Sequence, residues 1–463
     1  MKFDFSITLS VDLAIGDVTL NEIVYRLKEL RDPLMLELLE KVLMTYDDEI
    51  SSRLRHSGMN SFARRGLGRH VRKDDEKGCF CRGRKIVSKG YRGQPRHIST
   101  VFGTLRMRIR MAKCCTCGAW YNPLLSALQI DRYARREDNF EHEVIEAVID
   151  TNYRRLIDGR SIDISLGGIH NIVAGSDIDK LYQEPVSVKD LTAFMADGTG
   201  LKQKEGKKGE LRAVIGITKS GRVFPLGCFT NTSWPEIEQT VKRRFKEAGP
   251  YNIPFIYDGE PGLDGFLAGV AETHRCTWHA SRGLYHALWE DGLKKKDSQP
   301  TTDKLKGLIG IELPEGDYEL LKEEDKAKIR EQYETSKGEV DTLIRTFKEK
   351  GYWNGARYLE RLSEFLFTHV ERWLETGVIA PKTTSLLERL FREIGRRLKR
   401  IAWGWSDKVA TNLMKMIVIR QYSKTDWEAF WKEKLGIYSN FKICMESIKI
   451  DNLVSDFQPG CIF

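Results

Sequence analysis

Phe194-Met195-Ala196-Asp197-Gly198-Thr199-Gly200 is the stretch that decides the fold, because an apolar run stops here at an acidic residue followed by a glycine. Such a run is typical of a buried strand, and the stop places a carboxylate at the strand end. Two more strands are predicted directly after it, over 211–218 and 223–229, with glycine-containing turns between them. A meander of three strands is therefore predicted, and its first strand runs from Phe194 to Asp197.

A second acidic residue, Asp258, has the same setting. A helix is predicted over 234–248, and the apolar run 253–257 then predicts a buried strand that leads into Asp258-Gly259. We expect a further helix over 262–272 and another short strand after it. This is the element order of a ribonuclease-H-like core, with both aspartates on adjacent strands of one sheet. Two neighbouring carboxylates repel each other unless a cation neutralises them, so we expect Mg²⁺ or Mn²⁺ there.

The third acidic residue, Glu388, lies in a helical pattern crowded with arginine. The helix would bring its acid to the metal while Arg389, Arg392 and Arg396 line a DNA path. A glutamate in a basic helix is otherwise most often an ion-pair partner one turn away. Its place after two strand carboxylates favours the metal, and Glu393 in the same helix is the competing acid.

A cluster of cysteines precedes these acids. A Cys-x-Cys pair at Cys79 and Cys81 and a Cys-x-x-Cys pair at Cys114 and Cys117 supply four thiolates for a tetrahedral structural zinc site. Cys115 is the spare thiol, although Cys114 and Cys115 can exchange roles. His70 and His97 are possible substitutes for the first pair. The alternative is a group of buried free cysteines, but five cysteines between 79 and 117 favour metal.

The clearest alternation of the chain lies over 104–111. Its apolar residues fall on one face of a predicted strand and three arginines on the other, namely Arg106, Arg108 and Arg110. This row of arginines could contact DNA phosphates, or it could be a face that is only exposed to solvent. We favour DNA contact.

Charge and composition bound the class of protein. The chain has 463 residues and a formal charge of +9, yet 53–110 holds 17 Lys/Arg against three acids and 382–424 holds 11 against three. Two strongly basic segments in an otherwise acidic chain point to polyanion contact. No apolar stretch approaches a membrane span, and the start is too short and too acidic for a signal peptide. With an odd number of cysteines in one tight cluster, these features indicate a cytoplasmic protein.

These patterns predict an α+β multidomain protein. A ribonuclease-H-like α/β catalytic core carries an all-helical insertion and is preceded by a helical region and a small zinc-ribbon-like β domain. The predicted boundaries are an N-terminal helical region (1–68), a Cys-rich basic zinc-ribbon-like domain (69–125), a helix-turn-helix-like DNA-binding region (126–188), the first part of the core (189–300), the insertion (301–378), the second part of the core with the Glu388 helix (379–425) and a C-terminal tail (426–463).

Four motifs together resemble the DDE transposases of prokaryotic insertion sequences, in the Mutator-like group. They are Asp197-Gly198, Asp258-Gly259, Cys276 with His279, and Glu388 after a long helical stretch. The segment around Glu388 is also similar to the family's segment around its glutamate, although the family often has asparagine where Ser385 stands. The resemblance covers about residues 70 to 422.

The resemblance implies transposon-end cleavage and strand transfer by two-metal-ion phosphoryl chemistry. Asp197 would bridge both cations, Asp258 would hold one and Glu388 the other, while Cys276 and His279 support the fold near the flanking DNA. The zinc ribbon and the helices over 138–175 would recognise terminal inverted repeats. The implied cofactors are Mg²⁺ (or Mn²⁺) and structural Zn²⁺. The implied partner is double-stranded DNA, bound by a homodimer or higher homo-oligomer associated with the nucleoid.

Two other classes compete with this interpretation. One is a ribonuclease-H-like nuclease or recombinase that cleaves without integrating, and the long helical insertion and basic N-terminal segment argue against it. The other is a non-catalytic, transposase-derived zinc DNA-binding protein, which the three intact acids disfavour.

Overall fold

The computed structural model describes residues 20–57, 86–115, 118, 120–128, 130, 133–159, 163–203, 206–247, 249–314, 316, 318–398 and 404–437. Most of the predicted zinc site, including Cys79, Cys81 and Cys117, lies outside these residues. The same holds for 1–19 and 438–463, at the two ends of the chain.

A long helix and short strands form the N-terminal part. They are α1 (Leu20–Ser57), β1 (Ile86–Tyr91), β2 (Arg96–Thr100), β3 (Gly103–Met107), β4 (Arg110–Cys114), β5 (Trp120–Tyr121) and the short helix α2 (Pro123–Ala127). Strands β2 and β3 form an antiparallel hairpin, and β4 lies between β1 and β5 in a separate sheet. Their apolar side chains share a core with α1, including Ile50, Ile98 and Leu105.

The single predicted strand over 104–111 is wrong, because the chain leaves one sheet after Met107 and enters the other at Arg110. Leu105, Met107 and Ile109 are buried as the alternation predicts, but Ala112 is the next buried residue instead of Met111. The break changes the phase of the alternation, so Arg110 leaves the row of Arg106 and Arg108.

Three helices follow, α3 (Asp138–Asp150), α4 (Tyr153–Gly159) and α5 (Leu166–Gly175). All three fall in the region predicted to be helix-turn-helix-like (126–188). Their buried residues, among them Leu156, Ile169 and Val173, belong to the same apolar core as one face of the central sheet.

The central sheet has five strands in mixed orientation. The strands are β6 (Leu191–Lys202), β7 (Lys208–Thr218), β8 (Val223–Thr230), β9 (Ile253–Tyr257) and β10 (Ala271–Arg275), with helix α6 (Trp234–Lys242) between β8 and β9. The order across the sheet is β10-β9-β6-β7-β8. The first three strands form the predicted antiparallel meander, and β9 and β10 run parallel to β6.

Two predicted helices of this region differ from the structure. Helix α6 begins at a capping box of Ser233 and Glu236 but ends at Lys242, because Arg244 and Lys246 then pair through their backbones with Val186. The helix predicted over 262–272 is wrong, since the chain makes turns there and then enters β10. Its glycines at 262, 265 and 269 have positive φ, which a right-handed helix does not allow. A helix was predicted because the apolar residues Leu263, Phe266 and Leu267, which are buried, have helical spacing.

Alternation along β6 divides the apolar residues between two cores. Phe194 and Ala196 face a core closed by α6 and the turns after β9. Ala193 and Met195 face the other core, to which α3, α4, α5 and the three helices at the end of the described chain contribute.

The remaining helices follow β10. They are α7 (Thr277–Glu290), α8 (Lys295–Ile309), α9 (Glu323–Glu349), α10 (Trp353–Leu362), α11 (Thr368–Thr376), α12 (Ser385–Leu398), α13 (Asp407–Tyr422) and α14 (Lys424–Lys434). Helices α7 to α11 enclose a core of their own, with Leu284, Ile344 and Leu359 among its buried residues. Helices α12 to α14 return to the sheet. Within the described residues, no helix is long and apolar enough to cross a membrane.

Candidate active site

Asp197 and Asp258 lie on neighbouring parallel strands. Strands β6 and β9 pair in a register that sets Met195 opposite Ile256, so two residues further on Asp197 comes level with Asp258. Met195 and Ile256 both belong to the core on the helical side of the sheet, and side chains repeat every second residue along a strand. Both carboxylates therefore leave the sheet on the same face.

The two carboxylates influence each other strongly. Asp197 is buried, and burial together with the nearby charge of Asp258 raises its pKa to about 7. The backbone N–H of Gly198 donates to Asp197 Oδ1 at 2.7 Å, and this bond opposes the rise only in part. A cation bound between Asp197 and Asp258 would relieve the repulsion of their charges.

Gly259 holds the second aspartate in a tight turn. Its φ is +101°, and a Cβ there would overlap the guanidinium group of Arg275, which packs over the ring of Tyr257 at 4.8 Å. The turn lets Asp258 Oδ1 accept the backbone N–H of Glu260 at 2.8 Å. The Asp-Gly pair at 258 is therefore required by close packing as well as by backbone conformation.

Glu260 is a fourth acid of this site that the sequence analysis missed. Its Oε1 accepts hydrogen bonds from Trp234 Nε1 at 2.8 Å and from Arg212 Nη2 at 3.1 Å. Arg212 is the register partner of Gly198, and a Cβ at Gly198 would lie 3.3 Å from Glu260 Oε2. A glutamate two residues after Asp258 is a weak signal, because its partners come from β7 and α6.

Cys276 and His279 join the acidic pair to Glu388. Helix α7 starts directly after Cys276, which places His279 Nδ1 3.3 Å from the Cys276 sulfur and His279 Nε2 3.9 Å from Glu388 Oε1. Burial alone lowers the pKa of His279, but the Cys276 bond and the charges of Asp258 and Asp197 outweigh it, so that pKa is raised. Burial alone raises the pKa of Cys276, yet hydrogen bonds from His279 and the backbone lower it.

Glu388 lies in the first turn of α12, whose apolar side packs against β6. Among the predicted DNA-contacting arginines, Arg389 and Arg392 are exposed, while Arg396 forms an ion pair with Glu393 at 2.7 Å. The competing acid Glu393 thus has a partner of its own, and Glu388 is the acid directed at His279.

The N-terminal arginines do not act as one row. Arg106 and Arg108 are exposed, as predicted. The prediction that Arg110 shares their face is wrong, because its guanidinium lies between Asp47 at 2.9 Å, Asp48 and the Tyr91 hydroxyl. Arg110 ties β4 to α1 and is not free to contact phosphates.

Metal ligation is not preformed in the described part of the chain. No group of three or more His, Cys, Asp or Glu side chains there is arranged to hold a metal ion. Asp197 and Asp258 form a pair, and Glu388 is directed at His279. Of the predicted zinc ligands, Cys114 is described and buried, while its neighbour Cys115 is exposed. The other three ligands lie outside the described residues.

Comparison with known proteins adds little to this geometry. No family model matches the chain, and no curated protein matches it. Among solved structures, the Drosophila P element transposase strand transfer complex is similar at 12% identity and a TM-score of 0.23, over 63% of this chain and 81% of that one. A TM-score of this size does not establish a common fold.

Proposed function

We propose that this protein is a transposase of the DDE type, similar to the Mutator-like group of prokaryotic insertion sequences, that cleaves and joins DNA with divalent cations. One observation carries the proposal. Asp197 and Asp258 lie level on neighbouring parallel strands, on the face of the sheet to which α12 brings Glu388.

The sheet supports a ribonuclease-H-like core. A three-stranded antiparallel meander, followed by two strands parallel to the first, gives the order β10-β9-β6-β7-β8. In this arrangement the central strand carries the first acid, and the neighbouring parallel strand carries the second. Asp197 and Asp258 occupy these two positions.

The donor set fits a hard divalent cation. Carboxylate oxygens are the ligands that Mg²⁺ prefers. Burial and, to a smaller extent, the charge of Asp258 raise the pKa of Asp197, and a bound cation would favour the charged carboxylate against both. Asp197 and Asp258 would hold the cation, and the side chain of Glu388 would turn from His279 to complete the set. When bound, two such cations activate an attacking hydroxyl group and stabilise the leaving oxygen.

The chain's own residues orient this site. Arg212 and Trp234 fix Glu260 beside Asp197, and Cys276 fixes His279 between the aspartates and Glu388. While Glu388 faces His279, its Oε1 lies within ion-pair distance of His279 Nε2. Exposed Arg389 and Arg392 continue from Glu388 along α12, where they would contact phosphates.

DNA recognition is proposed for the N-terminal part. A structural zinc ion held by Cys79, Cys81, Cys114 and Cys117 would order the basic ribbon that reads the terminal inverted repeats, with help from α3 to α5. Cleavage at two element ends would require a homodimer or higher homo-oligomer on DNA.

The test replaces Asp197 by asparagine, which keeps the shape of the side chain but removes a charged ligand. We expect Asp197→Asn to reduce Mg²⁺-dependent nicking of terminal-repeat DNA at least about a hundredfold, with DNA binding unchanged. The matched control is Asp190→Asn, because Asp190 is exposed in the 3₁₀ turn just before β6. Undiminished nicking by Asp197→Asn would refute the proposal.

Thermal unfolding gives a second readout that needs no DNA. A cation that binds only the folded protein raises the melting temperature. We expect MgCl₂ to stabilise the wild type and the Asp190→Asn control, and to stabilise Asp197→Asn much less. Equal stabilisation of all three proteins would place the cation elsewhere.

A further inference from the structure

Helix α7 presents an aromatic stripe to solvent. Trp278, Arg282, Tyr285 and Trp289 are spaced four, three and four residues apart, which at 3.6 residues per turn places them within an arc of about 60°. Trp278 is 42% exposed and Trp289 64% exposed. A large apolar surface left open at helical spacing marks a binding surface.

The stripe is not the core side of this helix. Ala280, Leu284 and Ala287 are buried on the opposite side. Ala280 and Leu284 belong to the core of helices α7 to α11. Arg282 lies over the ring of Trp278 at 5.3 Å, so the first aromatic side chain carries a positive charge on its face. The combination of open rings and a stacked guanidinium is suited to flat, electron-rich groups next to phosphates.

One end of the stripe touches the acidic site. The Trp278 ring meets the His279 ring edge to face with centroids 4.6 Å apart, and His279 Nε2 lies 3.9 Å from Glu388 Oε1. From Trp278 to Trp289 the helix rises about 16 Å. The stripe therefore leads away from the proposed catalytic acids over a length that suits several nucleotides.

Three exposed lysines follow the other end of the stripe in sequence. Lys294, Lys295 and Lys296 lie at the start of α8, four to six residues after α7 ends at Glu290. None of their ammonium groups is within ion-pair distance of a carboxylate in the described residues. Glu290 is the exposed acid nearest Trp289 in sequence, and it is turned about 100° around the helix from that residue. Phosphates following the stripe would meet cations at its far end.

We propose that Trp278, Arg282, Tyr285 and Trp289, together with Lys294–Lys296, form a track for single-stranded DNA whose unpaired bases stack on the tryptophans. The track deepens the proposed function, on which it rests. It would hold a strand separated from its complement as that strand enters or leaves the site of Asp197 and Asp258. Stacking tolerates any base sequence, so the track would act without sequence preference.

The test measures binding of the full-length protein to a fluorescein-labelled 12-mer of thymidine and to a duplex of the same length, in EDTA. We expect Trp278→Ala and Trp289→Ala each to weaken single-strand binding about tenfold while duplex binding changes less than twofold. Leu320→Ala is the matched control, because Leu320 is an apolar residue 83% exposed outside the stripe. It should bind both DNAs like the wild type.

Conservative variants separate stacking from simple apolar contact. Trp278→Phe keeps an aromatic ring and should retain most single-strand affinity, while Trp278→Leu keeps only apolar bulk and should lose it. If the stripe instead packs against a second copy of the chain, both tryptophan-to-alanine variants will shift sedimentation towards the monomer and leave single-strand affinity unchanged. That shift with unchanged single-strand affinity would refute the proposed track. Wild-type single-strand affinity in the variant that carries both Trp278→Ala and Trp289→Ala would also refute it.

The same experiment separates the track from the catalytic proposal. Asp197→Asn should bind the single strand like the wild type, because the measurement contains no metal. If single-strand binding depends on the stripe but the protein nicks no DNA, the track is supported and the proposed DNA cleavage is refuted. Metal-dependent nicking without stripe-dependent binding would do the reverse.

Discussion

At the scale of single residues, the two Asp-Gly pairs have different physical reasons. Gly198 lies within a strand, and its missing side chain makes room for Glu260 beside Asp197. Gly259 has a φ of +101° and also lies under the Arg275 guanidinium. Glycine is thus required at 198 because a side chain would crowd its neighbours. At 259 it is required for that reason and also for its backbone conformation.

The turn at Gly259 yields a stability prediction. We expect Gly259→Ala to lower the free energy of unfolding by about 3 kcal/mol, since alanine would be strained there and would displace Arg275 from Tyr257. Gly265→Ala is the control, because it has a φ of +77° in the same loop but open space around it. Its cost should be about 1 kcal/mol. Urea denaturation measures the free energy of unfolding of both variants. Equal losses would show that the Arg275 side chain moves aside without a loss of stability.

At the scale of elements, a buried histidine pair joins the edge of the sheet to the insertion. Within the described residues, neither ring nitrogen of His274 on β10 has a hydrogen-bond partner, and Nε2 of His369 on α11 has none. Burial and the positive charge of nearby Arg372 lower the pKa of His274 to about 3, and burial with Lys382 lowers that of His369 to about 4. Glu272 is the facing acid, at 3.8 Å from His274 Nε2.

This contact makes stability depend on pH with a definite sign. A histidine with a depressed folded pKa is neutral in the folded protein and protonates first when unfolded, so stability falls as pH drops below about 6.5. For His274 alone the loss by pH 4 is about 3 kcal/mol. His274→Leu should flatten the profile, while His170→Leu, at an exposed histidine on α5, should not. Parallel profiles for His274→Leu and the wild type would contradict this account.

The elements also show what the sequence could predict. The meander and β9 were predictable, because buried strands leave continuous or alternating apolar runs. The prediction that Asp197 ends its strand was wrong, because β6 continues to Lys202 and pairs with β7 over that length. The turns over 261–270 were not predictable, since Leu263, Phe266 and Leu267 imitate a helix while the glycines impose positive φ. The break at Arg110 was hidden because its partners, Asp47 and Asp48, lie more than sixty residues away on α1.

The site was predictable in part for the same reason. Asp197, Asp258 and Glu388 stand out by local context, and the pairing of β6 with β9 follows from strand order. Glu260, Arg212 and Trp234 were missed, because a partner that arrives from another element leaves no local signal. The stripe of α7 was also missed, since only burial distinguishes an open aromatic face from a core one.

At the scale of the whole molecule, the chain builds separate apolar cores, and the N-terminal core is the one that depends on metal in our proposal. We expect about one zinc ion per chain in the purified protein. Cys117→Ser should remove it, and Cys115→Ser should keep it. Elemental analysis that finds no zinc would contradict the site. Loss of zinc from Cys115→Ser but not from a Cys114→Ser variant would show that Cys115, and not Cys114, binds the zinc ion.

The segment with helices α7 to α11 leaves and rejoins the sheet at one point, where the Thr277 N–H donates to the Lys382 carbonyl at 3.0 Å. Asp258 and Glu388 are 130 residues apart in sequence, but once this bond has formed about 25 residues of chain connect them. Loop-closure entropy, and hence the folding rate, depends on this shorter path. Helices α7 to α11, which enclose their own core, therefore shorten the effective contact order of the acids. Lengthening a loop between these helices should hardly slow the assembly of the site.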